Sequence, residues 1–195
     1  MELANKKIIL ASQSPRRKEI LSMIGLEFNI RKSNYHEKSI RGKAPLEIAE
    51  IHALKKAQDV SQYYHDELVI GADTIVVIGS EILGKPANRA DARRMLQKLS
   101  GRRHEVMTGV AIVNSKNNQQ LSFVSRTAVT FYDLSENVID RYLADNQYQD
   151  KAGSYAIQDY SALFVKKIDG CFYNVVGFPV AEFYQVVSRE LPNIL

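Results

Sequence analysis

Ile8-Ile-Leu-Ala-Ser-Gln-Ser-Pro-Arg-Arg-Lys-Glu-Ile-Leu21 decides how this chain begins to fold. Its first three residues form an apolar run that reads as a buried strand, and Ser14-Pro15 reads as a helix start. Ser14 offers a side-chain oxygen to the free backbone N–H groups, and Pro15 suits the first helical position because it has no N–H to leave unpaired. Ile20, Leu21 and Ile24 then fall on one helix face, and Gly25 stops the run. The charges conflict with this order. Arg16, Arg17 and Lys18 crowd the positive end of the helix dipole, where carboxylates are favoured. A docked anion removes the conflict, because free N–H groups and two guanidinium forks together hold phosphate oxygens. Three solvated cations, at roughly a few tenths of a kcal/mol each, are the alternative reading.

Working outward, the chain alternates strands and helices before it turns antiparallel. Residues 28–32 alternate as a half-buried strand, and the polar loop 33–43 carries Glu37. Pro45 opens a helix to about Tyr63, with Leu46, Ile48, Ala49, Ala53, Leu54 and Ala57 inward. Residues 68–78 are the most apolar run, a central strand buried on both faces and bent or bulged at Gly71. A short return strand spans 81–83, a turn follows at Gly84-Lys-Pro86, and a helix spans about 89–99. Residues 105–113 and 121–131 read as long antiparallel strands joined by a polar tip. Ser135 caps a helix to about Ala144, and residues 151–158 read as a loop entering an extended segment. Residues 163–168 and 172–176 flank Asp169-Gly170, a hairpin signal, and Phe178-Pro179 begins the last helix, to about Leu191. The expected fold is α/β, a mixed twisted sheet with helices on both faces, in two lobes around a cleft. The whole chain, 1–195, reads as a single domain, with no repeat or linker.

Bulk properties exclude several classes. The 195 residues are 45% hydrophobic and 25% charged, ordinary for a globular chain. No apolar run approaches the roughly 20 residues that span a bilayer, and the N-terminus lacks the apolar core of a signal peptide. One cysteine, Cys171, excludes an internal disulfide and a multi-cysteine metal site. A cytoplasmic protein without a membrane partner is expected. The net charge of +4 favours polyanions weakly, but the basic residues are spread along the chain without a nucleic-acid type of block.

Asp73, in Gly71-Ala-Asp-Thr74, is the strongest single candidate for chemistry. A carboxylate within a buried strand is expensive unless it is paired, metal-bound or at a strand end facing a cleft. A structural ion pair with a lysine is the competing explanation. Glu37, Lys56, Lys85 and Gln158 are each bland alone: a loop glutamate, an exposed helix lysine, a turn lysine and an amide after an apolar run. With the arginines they supply what nucleotide phosphoanhydride hydrolysis needs. Carboxylates and phosphate oxygens hold Mg²⁺, cations neutralise developing charge, and a carboxylate orients or deprotonates water. The four histidines lack metal-ligand spacing, and neither a P-loop nor a serine nucleophile elbow is present.

Ser12-Gln-Ser-Pro-Arg-Arg17, Gly71-Ala-Asp-Thr74, Gly84-Lys-Pro86, Leu99-Ser-Gly101, Lys151-Ala-Gly153 and Tyr155-Ala-Ile-Gln158 together resemble the Maf family of nucleoside triphosphate pyrophosphatases. Residues 162–170 and Val176-Gly-Phe-Pro179 match as well, so the resemblance covers nearly the whole chain. It implies a two-lobed fold related to the inosine triphosphatases, often dimeric, that cleaves between the α- and β-phosphates. By position, Asp73 looks like the proton acceptor. Arg17, Glu37, Lys56 and Lys85 match phosphate- and metal-handling residues, with Glu37 and Asp73 as candidate metal ligands. Ser12 and Ser14 match substrate-binding positions, and Arg16, Thr74 and Gln158 match positions tied to nucleotide choice. The implied cofactor is a divalent cation, Mg²⁺ first and Mn²⁺ second.

The Tyr-Ala-Ile-Gln form resembles the subgroup acting on dTTP and UTP. The Gln158 amide can accept from the N3–H of thymine or uracil while donating to the neighbouring carbonyl. The implied activity is release of pyrophosphate from dTTP and UTP, with modified pyrimidine nucleotides as further substrates, in a house-cleaning or division-linked role. A non-enzymatic nucleotide-sensing regulator of septum formation is the alternative; a nucleic-acid binder is the weakest reading. Two residues depart from the family pattern. Asp159 replaces the usual glycine and bears on substrate preference, and Phe178 replaces the usual leucine, a packing change.

Overall fold

A computed structural model describes residues 7–117, 119–145 and 148–191. In chain order the elements are β1 (Ile8–Leu10), α1 (Pro15–Met23), β2 (Asn29–Ile30), α2 (Pro45–Ser61), β3 (Leu68–Ile78) and β4 (Glu81–Leu83). They continue with α3 (Arg89–Leu99), β5 (Arg103–Asn114), β6 (Gln120–Phe131), α4 (Glu136–Ala144), β7 (Val165–Asp169), α5 (Phe172–Val176) and α6 (Val180–Glu190). Short 3-10 turns occupy Ala152–Ser154 and Tyr160–Phe164. The strands form one seven-stranded sheet in the order β2-β1-β3-β5-β6-β7, with β4 pairing β3. The sheet is mixed: β1 is parallel to β2 and β3, while β4 is antiparallel to β3 and β7 to β6. The expected mixed α/β class holds.

The chain divides into two compact units. One comprises Met1–Asp73, Thr108–Ser125 and Gly177–Leu195; the other comprises Thr74–Met107 and Arg126–Val176. The core of the first unit joins Ile9, Val69, Ala111 and Val113 from strands to Ala53, Ala57 and Val60 from α2. The core of the second unites Met95, Leu96 and Leu99 of α3, Ile139, Tyr142 and Leu143 of α4, and an aromatic group built on Phe131, Tyr155 and Phe164.

Register places all of β1 against the first three residues of β3. Ile8 pairs with Leu68 and Leu10 with Ile70, and the Ala11 N–H donates to the Ile70 carbonyl at 2.8 Å. Beyond that point β1 has ended and β3 runs on, so Asp73 lies just past the carboxyl end of its parallel neighbour. Ligand sites of parallel α/β sheets are built in such places.

Gly71 serves a different end from the expected bend. A Cβ there would sit 2.3 Å from the Ala53 carbonyl oxygen and 2.8 Å from the Ala57 nitrogen. Gly109 on β5 meets the Ala49 carbonyl as closely, at 2.3 Å. Two strand glycines and three helix alanines, four residues apart, therefore let the α2 backbone lie directly on the sheet.

Other expectations change. The strand expected at 28–32 is only Asn29–Ile30, with both side chains exposed. Leu46, expected inward, is exposed, and α2 ends at Ser61 rather than Tyr63. Residues 151–158 enter a 3-10 turn, with no extended strand after it. The hairpin expected around Asp169-Gly170 is absent, because Phe172–Val176 is a helix. The buried Asn174 amide donates at 3.0 Å to both the Val106 carbonyl and Thr127 Oγ1, and Thr127 Oγ1 accepts from the Cys171 N–H at 3.0 Å. These contacts with distant segments override the strand preference of Phe-Tyr-Asn-Val-Val. The strand at 163–168 is correspondingly shorter and shifted, Val165–Asp169.

Candidate active site

The start of α1 folds as its sequence demands. Ser14 has extended backbone and caps the helix by accepting from the Arg17 N–H at 3.5 Å, with Pro15 behind it and no acidic residue in the first turn. Ser12 Oγ accepts twice, from the Ser14 N–H at 3.2 Å and from Arg17 Nη1 at 3.1 Å. A hydroxyl oxygen so occupied has its own proton to offer a further acceptor. Arg17 Nε donates to the Gly177 carbonyl at 2.9 Å. The guanidinium is thus anchored from behind by two protein oxygens. Burial pulls its pKa below the ordinary value; Asp73 opposes that pull, Arg16 adds to it and Glu37 opposes it.

Asp73 is buried, as its place in β3 requires. It shares a strand face with Gly71, two residues earlier, and so looks toward α2. The close seating of α2 brings Lys56 Nζ to 2.6 Å from Asp73 Oδ1. The same ammonium lies 2.6 Å from Glu37 Oε1. Lys56 is therefore no exposed helix lysine: its side chain retains 15% of its accessible surface. A lysine paired with a buried carboxylate is what a structural ion pair would show. Such a pair does not account for the second carboxylate, brought in from a solvent-facing loop. Within this unit the structure gathers Ser12, Ser14, Arg17, Glu37, Lys56 and Asp73.

Lys85, Gln158 and Thr74 belong to the other unit. Lys85 is largely exposed and lies 3.6 Å from Asp150, itself almost fully exposed, so that pair contributes little. Gln158 is exposed and follows the buried Tyr155 and Ile157. Asp159 is fully engaged. Its carboxylate accepts from Lys151 Nζ, from the Ser161 N–H at 2.9 Å and from the Ser161 hydroxyl at 2.6 Å, capping the turn Tyr160–Phe164. Burial pushes its pKa up, but the hydrogen bonds from Lys151 and Ser161 outweigh it and hold the group below the usual carboxylate range. Phe178 is completely buried with its ring 5.1 Å from that of Phe183.

The donor set suits a hard divalent cation. Glu37 and Asp73 present carboxylate oxygens around a single ammonium, a spot already organised for positive charge between two negative groups. Among the described residues, no group of three or more His, Cys, Asp or Glu forms a metal cage. A cation held there would draw further ligands from water and phosphate oxygens, the habit of Mg²⁺. Sequence reasoning missed the Gly177 carbonyl behind Arg17, although Val176-Gly-Phe-Pro179 carried a signal for it. It also missed Tyr35, His52 and Asp59, which have no motif.

A family described as Maf-like protein matches residues 7–190. A dTTP/UTP pyrophosphatase from Dictyoglomus thermophilum is 44% identical over 94% of this chain and 96% of its own. Another so named, from Bacillus cereus, is 49% identical over 94% of this chain and 90% of its own. Among solved structures, a HAM1 protein from Coxiella burnetii has a TM-score of 0.46 and 18% identity, covering 82% of this chain and 91% of that one. No helix among the described residues is long and apolar enough to cross a membrane.

Proposed function

This chain belongs to the Maf family, and from that premise we propose that it hydrolyses dTTP and UTP to the nucleoside monophosphate and pyrophosphate. The observation that carries the reading is the Lys56 ammonium, 2.6 Å from both Glu37 and Asp73, the two carboxylates whose charges also act on the anchored Arg17. Relatives sharing nearly half their residues along almost the full length bear the name of that activity.

In this reading the Ser12 hydroxyl and the Arg16 and Arg17 side chains, at the start of α1, receive phosphate oxygens. Asp73 accepts a proton from the attacking water. Lys56 keeps the two carboxylates in register and offsets their charge as phosphate oxygens approach. Glu37 and Asp73 would hold a divalent cation, Mg²⁺ or Mn²⁺; when bound it screens the phosphates and polarises the phosphorus–oxygen bonds. Lys85 adds positive charge toward the leaving pyrophosphate. Gln158 and Thr74 select the base, and the exposed Gln158 amide has a donor and an acceptor for the imide edge of thymine or uracil. Since Asp159 is committed to Lys151 and Ser161, its charge does not alter that preference. The same proposal includes a cytoplasmic enzyme, working as a homodimer on free nucleotides.

The test is pyrophosphate release, measured separately from phosphate, from dTTP, UTP, CTP, GTP, 7-methyl-GTP and ITP with Mg²⁺. Pyrophosphate from dTTP and UTP, lost by at least about a hundredfold in Asp73→Asn, is the expected result. Full activity in that variant removes Asp73 from the mechanism, and release from GTP derivatives alone overturns the base preference.

A further inference from the structure

Glu37 sits on a loop that has ties of its own to α2, besides the Glu37–Lys56 ion pair. Its side chain is 52% exposed, and an exposed carboxylate–ammonium contact is easily replaced by water. The loop that carries it is tied to α2 nearby. Asp59 Oδ2 accepts from the Ser33 hydroxyl at 2.8 Å and from the Asn34 N–H at 2.7 Å. Ser33 Oγ accepts in turn from the Tyr35 N–H at 3.0 Å. The Tyr35 hydroxyl is hydrogen-bonded to Nδ1 of the buried His52, at 3.0 Å, and the two rings are tilted by 47° with centroids 5.8 Å apart. His52, Lys56 and Asp59 are spaced by four and three residues, so they share one face of α2. Three positions on that face thus grip four of the five residues from Ser33 to Glu37.

We propose that Tyr35, His52 and Asp59 are positioning residues: they fasten the loop to α2 so that Glu37 stays at the Lys56–Asp73 pair. The proposal rests on the reading of Glu37 as part of the working site. The two ties divide the work: Asp59 fixes where the loop enters, and Tyr35 fixes the turn two residues before Glu37.

Tyr35→Phe keeps the ring beside His52 and removes only the hydroxyl; Asp59→Asn weakens the other tie. Lys38, Arg41 and Lys43 in the same loop allow trypsin to report on it directly. Loss of one such hydrogen bond is expected to raise cleavage there about five- to tenfold, with the thermal unfolding midpoint of the whole protein lowered by only about 2–4 °C. On dTTP, kcat falls by a similar factor and KM stays. In a Glu37→Gln background, Tyr35→Phe causes no further loss of the residual kcat, because Tyr35 acts through Glu37. Unchanged cleavage in both variants, or an equal loss of kcat with and without Glu37, overturns the proposal. If the unaltered protein releases no pyrophosphate, the reading of its activity falls, and the trypsin comparison alone then upholds or overturns the tie.

Discussion

At the scale of single residues, Lys56 is where stability and chemistry meet. Replacing it with methionine removes the cation that the structure places at 2.6 Å from the buried Asp73 and leaves Arg17 as a more distant counter-charge, and removing one partner of a buried pair costs about 3–5 kcal/mol. A drop of that size in the free energy of urea unfolding is expected for Lys56→Met. The double variant with Asp73→Asn should regain much of it, since no uncompensated charge is then buried. Equal unfolding curves for Lys56→Met and the parent protein would show that water, and not Lys56, solvates Asp73. Asp73 itself was legible from sequence, because a lone carboxylate in an apolar run demands an explanation. Lys56 was legible only through the family resemblance, because nothing in a helical sequence distinguishes a lysine over solvent from one over a strand. Knowing that α2 lies directly on β3 is what separates them.

At the scale of elements, the seating of α2 is the decisive contact. Gly71→Ala inserts a methyl 2.3 Å from the Ala53 carbonyl, backbone that cannot turn aside. The helix must lift, at a cost of about 1–3 kcal/mol for an overpacked core, and Lys56 moves with it. The variant should therefore lose both thermal stability and pyrophosphate release, whereas Gly84→Ala, which meets nothing within 4 Å, leaves stability nearly unchanged. Parallel loss in Gly84→Ala would show that glycine flexibility, not helix seating, matters. Elements specified by local signals were readable: Ser-Pro opening α1, the apolar run of β3, and the helix expected at about 89–99, which is α3 and which the structure shows capped by Asn88, its side chain accepting from the Asp91 N–H at 2.9 Å. Those specified from afar were not. Phe172–Val176 is helical through bonds from Asn174 to Val106 and Thr127, 68 and 47 residues away, and no local reading could find them.

At the scale of the whole molecule, acid is the expected weakness. His104 is buried, its Nε2 2.8 Å from the Tyr155 hydroxyl and its ring edge-on to Phe131. Burial lowers its pKa from 6.5 to about 4, against a smaller opposing pull from the Arg102 backbone. Between those values the unfolded chain binds a proton that the folded chain refuses, so stability is complete above pH 6.5 and is lost as the pH falls toward 4. The loss from this one group reaches about 3 kcal/mol. Urea unfolding across this range should show it, and His104→Gln should flatten that limb; an equally steep limb in the variant would place the proton elsewhere. The two-unit organisation and mixed sheet were readable from the change from alternating to antiparallel strands. Where one unit gives way to the other, inside continuous strands, was not.

The bond from Arg17 to Gly177 joins residues 160 positions apart. During synthesis the arginine leaves the ribosome 160 residues ahead of its anchor. A nascent chain that has reached α1 alone therefore lacks the carbonyl that orients Arg17. The final placement of this side chain is deferred until Gly177 has been added, and a fragment that stops before it would carry the arginine without its hold.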